Sequence, residues 1–358
     1  MARRVMFTGN DAVGEGAIRA GVDCYFGYPI TPQNELTAYM AAHMPAHGRV
    51  FVQSESELAA INMVFGAAAA GRRAMTSSSS PGISLKQEGI SYIAGAQLPA
   101  VIVNIQRAGP GLGGIDPSQA DYWQATRGGG HGDYRCIVLA PHSVQEMHDL
   151  TADAFDLADR FRLPAIVLAD GQLGQMMEPI TLLDANRPPP ADLPPKDWAL
   201  SGCAGRPRNV VRSYFGRTDD LIENNRQIQS RIRTAERACR RWETYLTDDA
   251  EVVMVGYGTS GRICRQVARD FRAAGRRVGV FRPISLWPFP DRELVHAADA
   301  ARALLAVEMS AGQMVEDVRL ALQGAKPVEF SGFIGGERPT VAEVGRHLEA
   351  MLEHRGTG

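Results

Sequence analysis

Short apolar runs alternate with amphipathic stretches through the first half of the chain. Strands are read at residues 23–28, 50–53, 73–77, 100–106, 137–140 and 164–169, with Val101-Ile102-Val103 a β-branched run of strand length. Helices are read between them at 34–44, 57–71, 83–94 and 143–160. The Ala-rich helix 57–71 stops at Gly71. Ser143, with Glu146 three residues on, has the spacing of a capping box. The pattern breaks near residue 184. Pro188-Pro189-Pro190 and Pro194-Pro195 make a stiff, extended connector. Residues 206–217 read as a polar loop, and 218–246 as one long charged helix lying across the surface or between domains. A second alternation then begins. Strands are read at 251–255, 277–282, 303–309 and 327–331, and helices at 262–274, 291–300, 313–323 and 340–354. Thr340 with Glu343 caps the last of these.

Strands alternating with helices imply parallel sheets. The expected fold class is therefore α/β, with two parallel-sheet domains at 1–184 and 249–358. Residues 185–248 form the Pro-rich linker and connecting helix between them. A length of 358 residues agrees with about two domains. In such sheets ligands sit at the carboxyl ends of the strands. The informative loops are those after Tyr28, Gln53, Ser77 and Gln106.

Composition removes several classes of function. Lys plus Arg is 38 and Asp plus Glu is 40, a net charge of -2. That balance argues against a nucleic-acid binder or a polybasic membrane-surface protein. No apolar run approaches ~18 residues, so no membrane span is expected. Arg3 and Arg4 precede only Val5-Met6-Phe7, too short an apolar run for a signal segment. Five cysteines, at 24, 136, 203, 239 and 264, include no Cys-x-x-Cys pair. No metal or Fe–S site is expected in this chain, and a reducing, cytoplasmic location is.

Several strand-end residues are suited to chemistry. Tyr28-Pro29-Ile30-Thr31-Pro32 turns sharply after a strand, with two prolines fixing the backbone around the Thr31 hydroxyl. Thr31 is read either as a held functional group or as a simple helix cap. Glu55 and Glu57 open an otherwise apolar helix. Either is an ordinary first-turn acid or a carboxyl facing a cofactor cleft. Thr76-Ser77-Ser78-Ser79-Ser80-Pro81-Gly82 is an anion or polar-ring site, or a flexible loop. Arg107 ends a strand beside Gly109-Pro110-Gly111-Leu112-Gly113-Gly114, placing a guanidinium where a carboxylate substrate would bind, or merely a surface charge. His131, in a second Gly-rich stretch, is a further substrate candidate. Gly256-Tyr257-Gly258-Thr259-Ser260-Gly261 has dinucleotide-site spacing, but the next strand ends at Phe281-Arg282-Pro283 without the acid that holds a ribose. It is read as a tight turn.

Taken together, Phe26–Glu35, Gln53–Glu57, Thr76–Gln87, Arg107–Gly114, Gly128–Asp133 and Ala169–Pro179 resemble the α subunit of 2-oxoacid:ferredoxin oxidoreductases. Arg282–Pro290 extends the likeness to the second domain, so that it covers nearly the whole chain. The 3-methyl-2-oxobutanoate (2-oxoisovalerate) branch is the nearest, with the 2-oxoglutarate synthase α subunit as the alternative. The resemblance implies a thiamine diphosphate pyrimidine-binding first domain and a transketolase-C-terminal-like second domain. It implies that Glu57, rather than Glu55, hydrogen-bonds the aminopyrimidine, and that Tyr28, Pro29, Ile30, Thr31 and Ser79 line the cofactor. It likewise implies that Thr31 lies near the thiazolium and substrate and that Arg107 binds the 2-oxoacid. Ala169-Asp170-Gly171 lacks the first Gly of the diphosphate motif, so Mg²⁺ and diphosphate are expected in a partner β subunit. The 4Fe–4S clusters are expected in an Fe–S subunit or domain, coenzyme A is the co-substrate, ferredoxin the acceptor, and the assembly a dimer of heteromers. Competing readings are a nucleotide-binding regulatory or electron-transfer module built on residues 256–261, and a scaffold subunit with a vestigial cleft.

Overall fold

The computed structural model describes residues 4–185 and 187–353. The first sheet has seven strands, in the order Ser285–Trp287, Ile137–Leu139, Pro164–Asp170, Ala100–Gln106, Ala74–Ser78, Cys24–Gly27 and Val50–Gln53. All neighbours are parallel except Ser285–Trp287, which runs antiparallel to Ile137–Leu139. Every residue of Ala100–Gln106 and Pro164–Asp170 is buried. Such continuous burial is what a parallel strand covered on both faces requires. The second sheet has five strands, in the order Val328–Gly332, Ala303–Glu308, Val252–Val255, Val278–Pro283 and Trp242–Tyr245. Its last strand is the antiparallel one.

The strands 50–53 and 100–106 fall where the hydrophobic pattern places them. Other boundaries move by a few residues, with two larger departures. The charged helix ends at Ala238 rather than at residue 246, and Trp242–Tyr245 becomes an edge strand. Before residue 23 the pattern shows no element, yet Arg4–Thr8 pairs antiparallel with Met177–Thr181 and Gly9–Arg19 is a helix. The last helix is Val341–Glu353, with Thr340 and Glu343 bonded reciprocally at 3.1 and 3.2 Å. His354 lies outside the described residues.

The two sheets are tied together by buried polar contacts. Ser143 caps its helix by accepting from the Glu146 N–H at 3.2 Å, but the Glu146 carboxylate does not return to Ser143. It accepts instead from the His142 N–H and from both Nη atoms of Arg282, on a strand of the second sheet. Burial opposes ionisation of Glu146, but the His142 hydrogen bond and the Arg282 guanidinium outweigh it and hold the carboxyl down to about 2.

Candidate active site

Five loops open at the carboxyl edge of the first sheet, after Gly27, Gln53, Ser78, Gln106 and Asp170. The first is held from beneath by buried hydroxyls. Tyr25 Oη lies 2.6 Å from Ser77 Oγ, which donates to Gln33 Oε1 at 2.6 Å. Gln33 is fully buried and fixes the turn that carries Thr31. Asn10 and Gln175 both donate to the Pro32 carbonyl, at 2.8 and 3.0 Å. Thr31 does not cap the following helix. Its Oγ1 accepts from Asn34 Nδ2 at 3.3 Å, which leaves the hydroxyl proton free to donate outward. Tyr28 and Pro29 are exposed and Ile30 half-buried on the same turn.

Arg107 lies across this turn. Its Nη1 donates to the Thr31 carbonyl and its Nη2 to the Leu112 carbonyl, each at 2.9 Å. A guanidinium has five N–H donors, so three remain. One of these, Nε, is buried without a partner. Ser80 Oγ accepts from the Arg107 N–H at 3.0 Å, joining the Arg107 loop to the Ser-rich loop. In that loop Ser78 and Ser79 are fully buried, and neither Oγ has a partner.

Glu57 completes the rim. It is the first residue of the helix Glu57–Ala69, whose cap Ser56 accepts from the Ala59 N–H at 3.2 Å. Glu57 is only 6% exposed, whereas Glu55 stands in solvent. The Glu57 carboxyl reaches the start of the helix Ser80–Gly95, at Gly82. A Cβ on Gly82 would stand 2.6 Å from Glu57 Oε1 and closer still to Ser78 Oγ. Gly82 therefore keeps open the gap between these two polar groups. Thr31, Arg107, Ser79 and Glu57 are thus joined in one chain of contacts and sequence neighbours, through Ser80, Ser78 and Gly82.

His131 is not brought to this rim. It lines a separate groove of about 290 Å³ with Tyr92, Asn224 and Asn225, between the Ser80–Gly95 and Thr218–Ala238 helices. Sequence reasoning had not singled out Gln33 or Gly82. Their signal is the proximity of one to Pro32 and of the other to Pro81, which shape turns rather than advertise chemistry.

The Gly-rich turn at 256–261 is committed elsewhere. The helix Gly258–Ala273 starts there, and Asp170 occupies its N-terminus. Asp170 Oδ2 accepts from the Thr259 N–H at 3.1 Å, and Oδ1 from the Thr259 hydroxyl at 2.7 Å and the Leu173 N–H at 3.1 Å. A phosphate would need that position, so the nucleotide-module reading is set aside. Burial raises the Asp170 carboxyl above its ordinary value, against the bonds from Thr259 and Leu173.

A buried carboxyl, unpaired hydroxyls and a guanidinium with spare donors are grouped at the strand ends of a parallel sheet, where α/β enzymes bind their ligands. Residues 15–231 match the family model for pyruvate flavodoxin/ferredoxin oxidoreductase, thiamine diphosphate-binding, and residues 250–344 that for pyruvate:ferredoxin oxidoreductase core domain II. Ketoisovalerate oxidoreductase subunit VorB of Methanothermobacter thermautotrophicus is 53% identical, over 98% of this chain and 98% of its own length. The 2-oxoglutarate synthase subunit KorA of Archaeoglobus fulgidus is 38% identical over 91% of this chain and 94% of its own. Among solved structures, 2-oxoglutarate:ferredoxin oxidoreductase from Magnetococcus marinus superposes with a TM-score of 0.87 at 24% identity, over 98% of this chain and 66% of that one. The chain belongs to the 2-oxoacid:ferredoxin oxidoreductase family, as an α-type subunit.

The rim fits the cofactor of that family. An aminopyrimidine ring needs a carboxyl shielded from water and polar atoms with spare hydrogen-bonding capacity. Glu57 supplies the first, and the unpaired Ser78 and Ser79 hydroxyls the second. Among the described residues no three His, Cys, Asp or Glu side chains gather as a metal site. No helix among them is long and apolar enough to cross a membrane.

Proposed function

We propose that this chain is the α-type subunit of a cytoplasmic oxidoreductase that converts 3-methyl-2-oxobutanoate and coenzyme A to acyl-CoA and CO2, with reduction of ferredoxin. The observation that carries the chemistry is the gathering of Glu57, Ser79, Thr31 and Arg107 on one rim. The choice of oxoacid rests on 53% identity to a ketoisovalerate enzyme subunit against 38% to a 2-oxoglutarate one.

Thiamine diphosphate, when bound, supplies carbanion addition to the oxo carbon and an electron sink for loss of CO2. The residues of this chain do the rest on its side of the site. Glu57 exchanges a proton with the aminopyrimidine nitrogen. Ser79, with the wall of Tyr28, Pro29 and Ile30, positions that ring. Arg107 offers the spare donor on each Nη to the substrate carboxylate, and the free proton of Thr31 orients the adjoining oxygen. His131 is assigned no role at this rim.

We assign Mg²⁺ and the diphosphate to a partner β subunit. The commitment of Asp170 to Thr259 and Leu173 supports this, because both its oxygens are already used. We likewise assign the 4Fe–4S clusters to an Fe–S subunit or domain, which passes electrons to ferredoxin. The five cysteines here are free thiols, four of them buried. Bare Leu112 and Ile115, 78% and 65% exposed beside Arg107, support a second polypeptide closing over the rim. The whole is taken as a dimer of heteromers. The working division of the chain is 1–184, 185–248 and 249–358, with Trp242–Tyr245 and Ser285–Trp287 as the places where its units interlock.

A panel of 2-oxoacids, assayed with the complex reconstituted from all subunits, tests the substrate. The kcat/KM for 3-methyl-2-oxobutanoate is expected to exceed that for 2-oxoglutarate by ~10-fold or more, since even one methylene changes discrimination by about 10–200-fold. The reverse preference would move the chain to the 2-oxoglutarate branch.

A further inference from the structure

Lys86 is fully buried in the helix Ser80–Gly95, and the chemistry above does not use it. Gly82, Lys86 and Gly89 lie at i, i+4 and i+7, on one stripe of that helix. The stripe faces the helix that Glu57 begins. A Cβ on Gly82 would meet the Glu57 carboxyl, and one on Gly89 would meet the Ile61 side chain. Two glycines therefore let the helices approach closely, and the lysine stem between them runs to the start of the Glu57 helix. Its Nζ donates to the Glu57 carbonyl oxygen at 3.4 Å. Among the described residues that is its one hydrogen bond.

A buried ammonium with a single long acceptor is costly, and an apolar residue of the same length would pack there without that cost. We propose that Lys86 is a positioning residue that acts on the cofactor through Glu57. Its ammonium, at the start of the Glu57 helix, stabilises the carboxylate left when the Glu57 proton passes from Oε to the ring nitrogen. The inference rests on the assignment of Glu57 to the aminopyrimidine and adds a second, hidden group to that proton transfer.

The charge of Lys86 is itself conditional. Burial pushes the ammonium down to about 8, with the charge of Glu57 opposing the fall. Of the elements packed around its helix, Glu57–Ala69 contributes Glu57. Ala100–Gln106 carries no charged side chain, Pro164–Asp170 carries only Asp170, which Thr259 and Leu173 hold, and Thr218–Ala238 meets the other end of the lysine's helix, through Asn224 at Gly95. The help given to Glu57 is therefore present below that pH and lost as pH rises through it.

Lys86→Met, Lys86→Arg and Glu57→Gln, each made in the reconstituted complex, test this. The readouts are kcat, KM and the dissociation constant of thiamine diphosphate, the last from fluorescence quenching of the cofactor-free complex, on both sides of pH ~8. The native complex is expected to lose kcat and cofactor affinity as pH rises through about 8. Lys86→Met is expected to have kcat ~10-fold lower with KM for the oxoacid unchanged, and to show no transition near that pH. Lys86→Arg is expected to carry activity past it, because a guanidinium stays protonated. Wild-type kcat, affinity and pH profile in Lys86→Met, beside an inactive Glu57→Gln complex, would overturn the proposal. If Lys86→Met does not assemble, an alkaline limb left unmoved in Lys86→Arg overturns it equally. An active Glu57→Gln complex would instead remove the role of Glu57 on which the inference stands.

Discussion

Glu57→Gln is expected to lower kcat of the reconstituted complex by about 10²–10⁴-fold, the usual worth of a positioned proton-transfer group. The amide keeps the size of the carboxyl and its place beside Gly82 and Ser78, but it does not ionise and so cannot exchange a proton near neutral pH. Because Glu57 is 6% exposed, water cannot readily substitute for it. The swap also takes the carboxylate charge away from buried Lys86, so some loss of thermal stability is expected beside the loss of activity. Thermal unfolding of the variant complex checks that point, and steady-state acyl-CoA formation checks the loss. Glu55→Gln, two residues away and in solvent, is expected to leave both unchanged.

Arg107→Ala is expected to lower kcat/KM for the oxoacid by about 10²–10⁴-fold, from the loss of two charged hydrogen bonds at ~1.5–3 kcal/mol each. The side chain has two tasks. Its Nη atoms tie the Thr31 and Leu112 carbonyls together, and the spare donor on each Nη awaits an acceptor. Alanine removes both. Lys restores a charge without the planar fork, so Arg107→Lys should recover only part of the activity. Cofactor affinity should change little in either variant, which separates a substrate role from general damage. Unchanged kinetics in Arg107→Ala would remove Arg107 from the substrate site.

The two parallel sheets were legible because their strands are unbroken apolar runs set between helical periods, as at Val50–Gln53 and Ala100–Gln106. What escaped the pattern was set by distant partners. The helix Gly9–Arg19 contains three glycines, a poor helix composition. A Cβ on Gly14 would come within 2.5 Å of the Tyr39 ring, and one on Gly16 would strike the His148 carbonyl, so close packing demands them. Trp242–Tyr245 alternates in burial and reads as a continuation of the charged helix until Val278–Pro283 pairs with it. Ser285–Trp287 is short and joins the sheet of the other half of the chain. Nothing local announces either pairing. At the rim the chemistry-bearing side chains were visible in the sequence, and the structure separates Glu57 from Glu55 by burial. His131 stands apart from these side chains. A Gly-rich loop signals freedom of the backbone without saying where it leads, and this one runs to the groove beside Asn224 and Asn225. Lys86 gave no signal because a lone lysine in a helix ordinarily faces water.

The most direct test of a site shared between chains is release of CO2 from carboxyl-labelled 3-methyl-2-oxobutanoate, with thiamine diphosphate and Mg²⁺ present throughout. This chain alone is expected to release none, and the partner subunits alone none. Mixing them is expected to restore release together with coenzyme A-dependent reduction of ferredoxin. Turnover by the partner subunits without this chain, or by this chain without them, would contradict it.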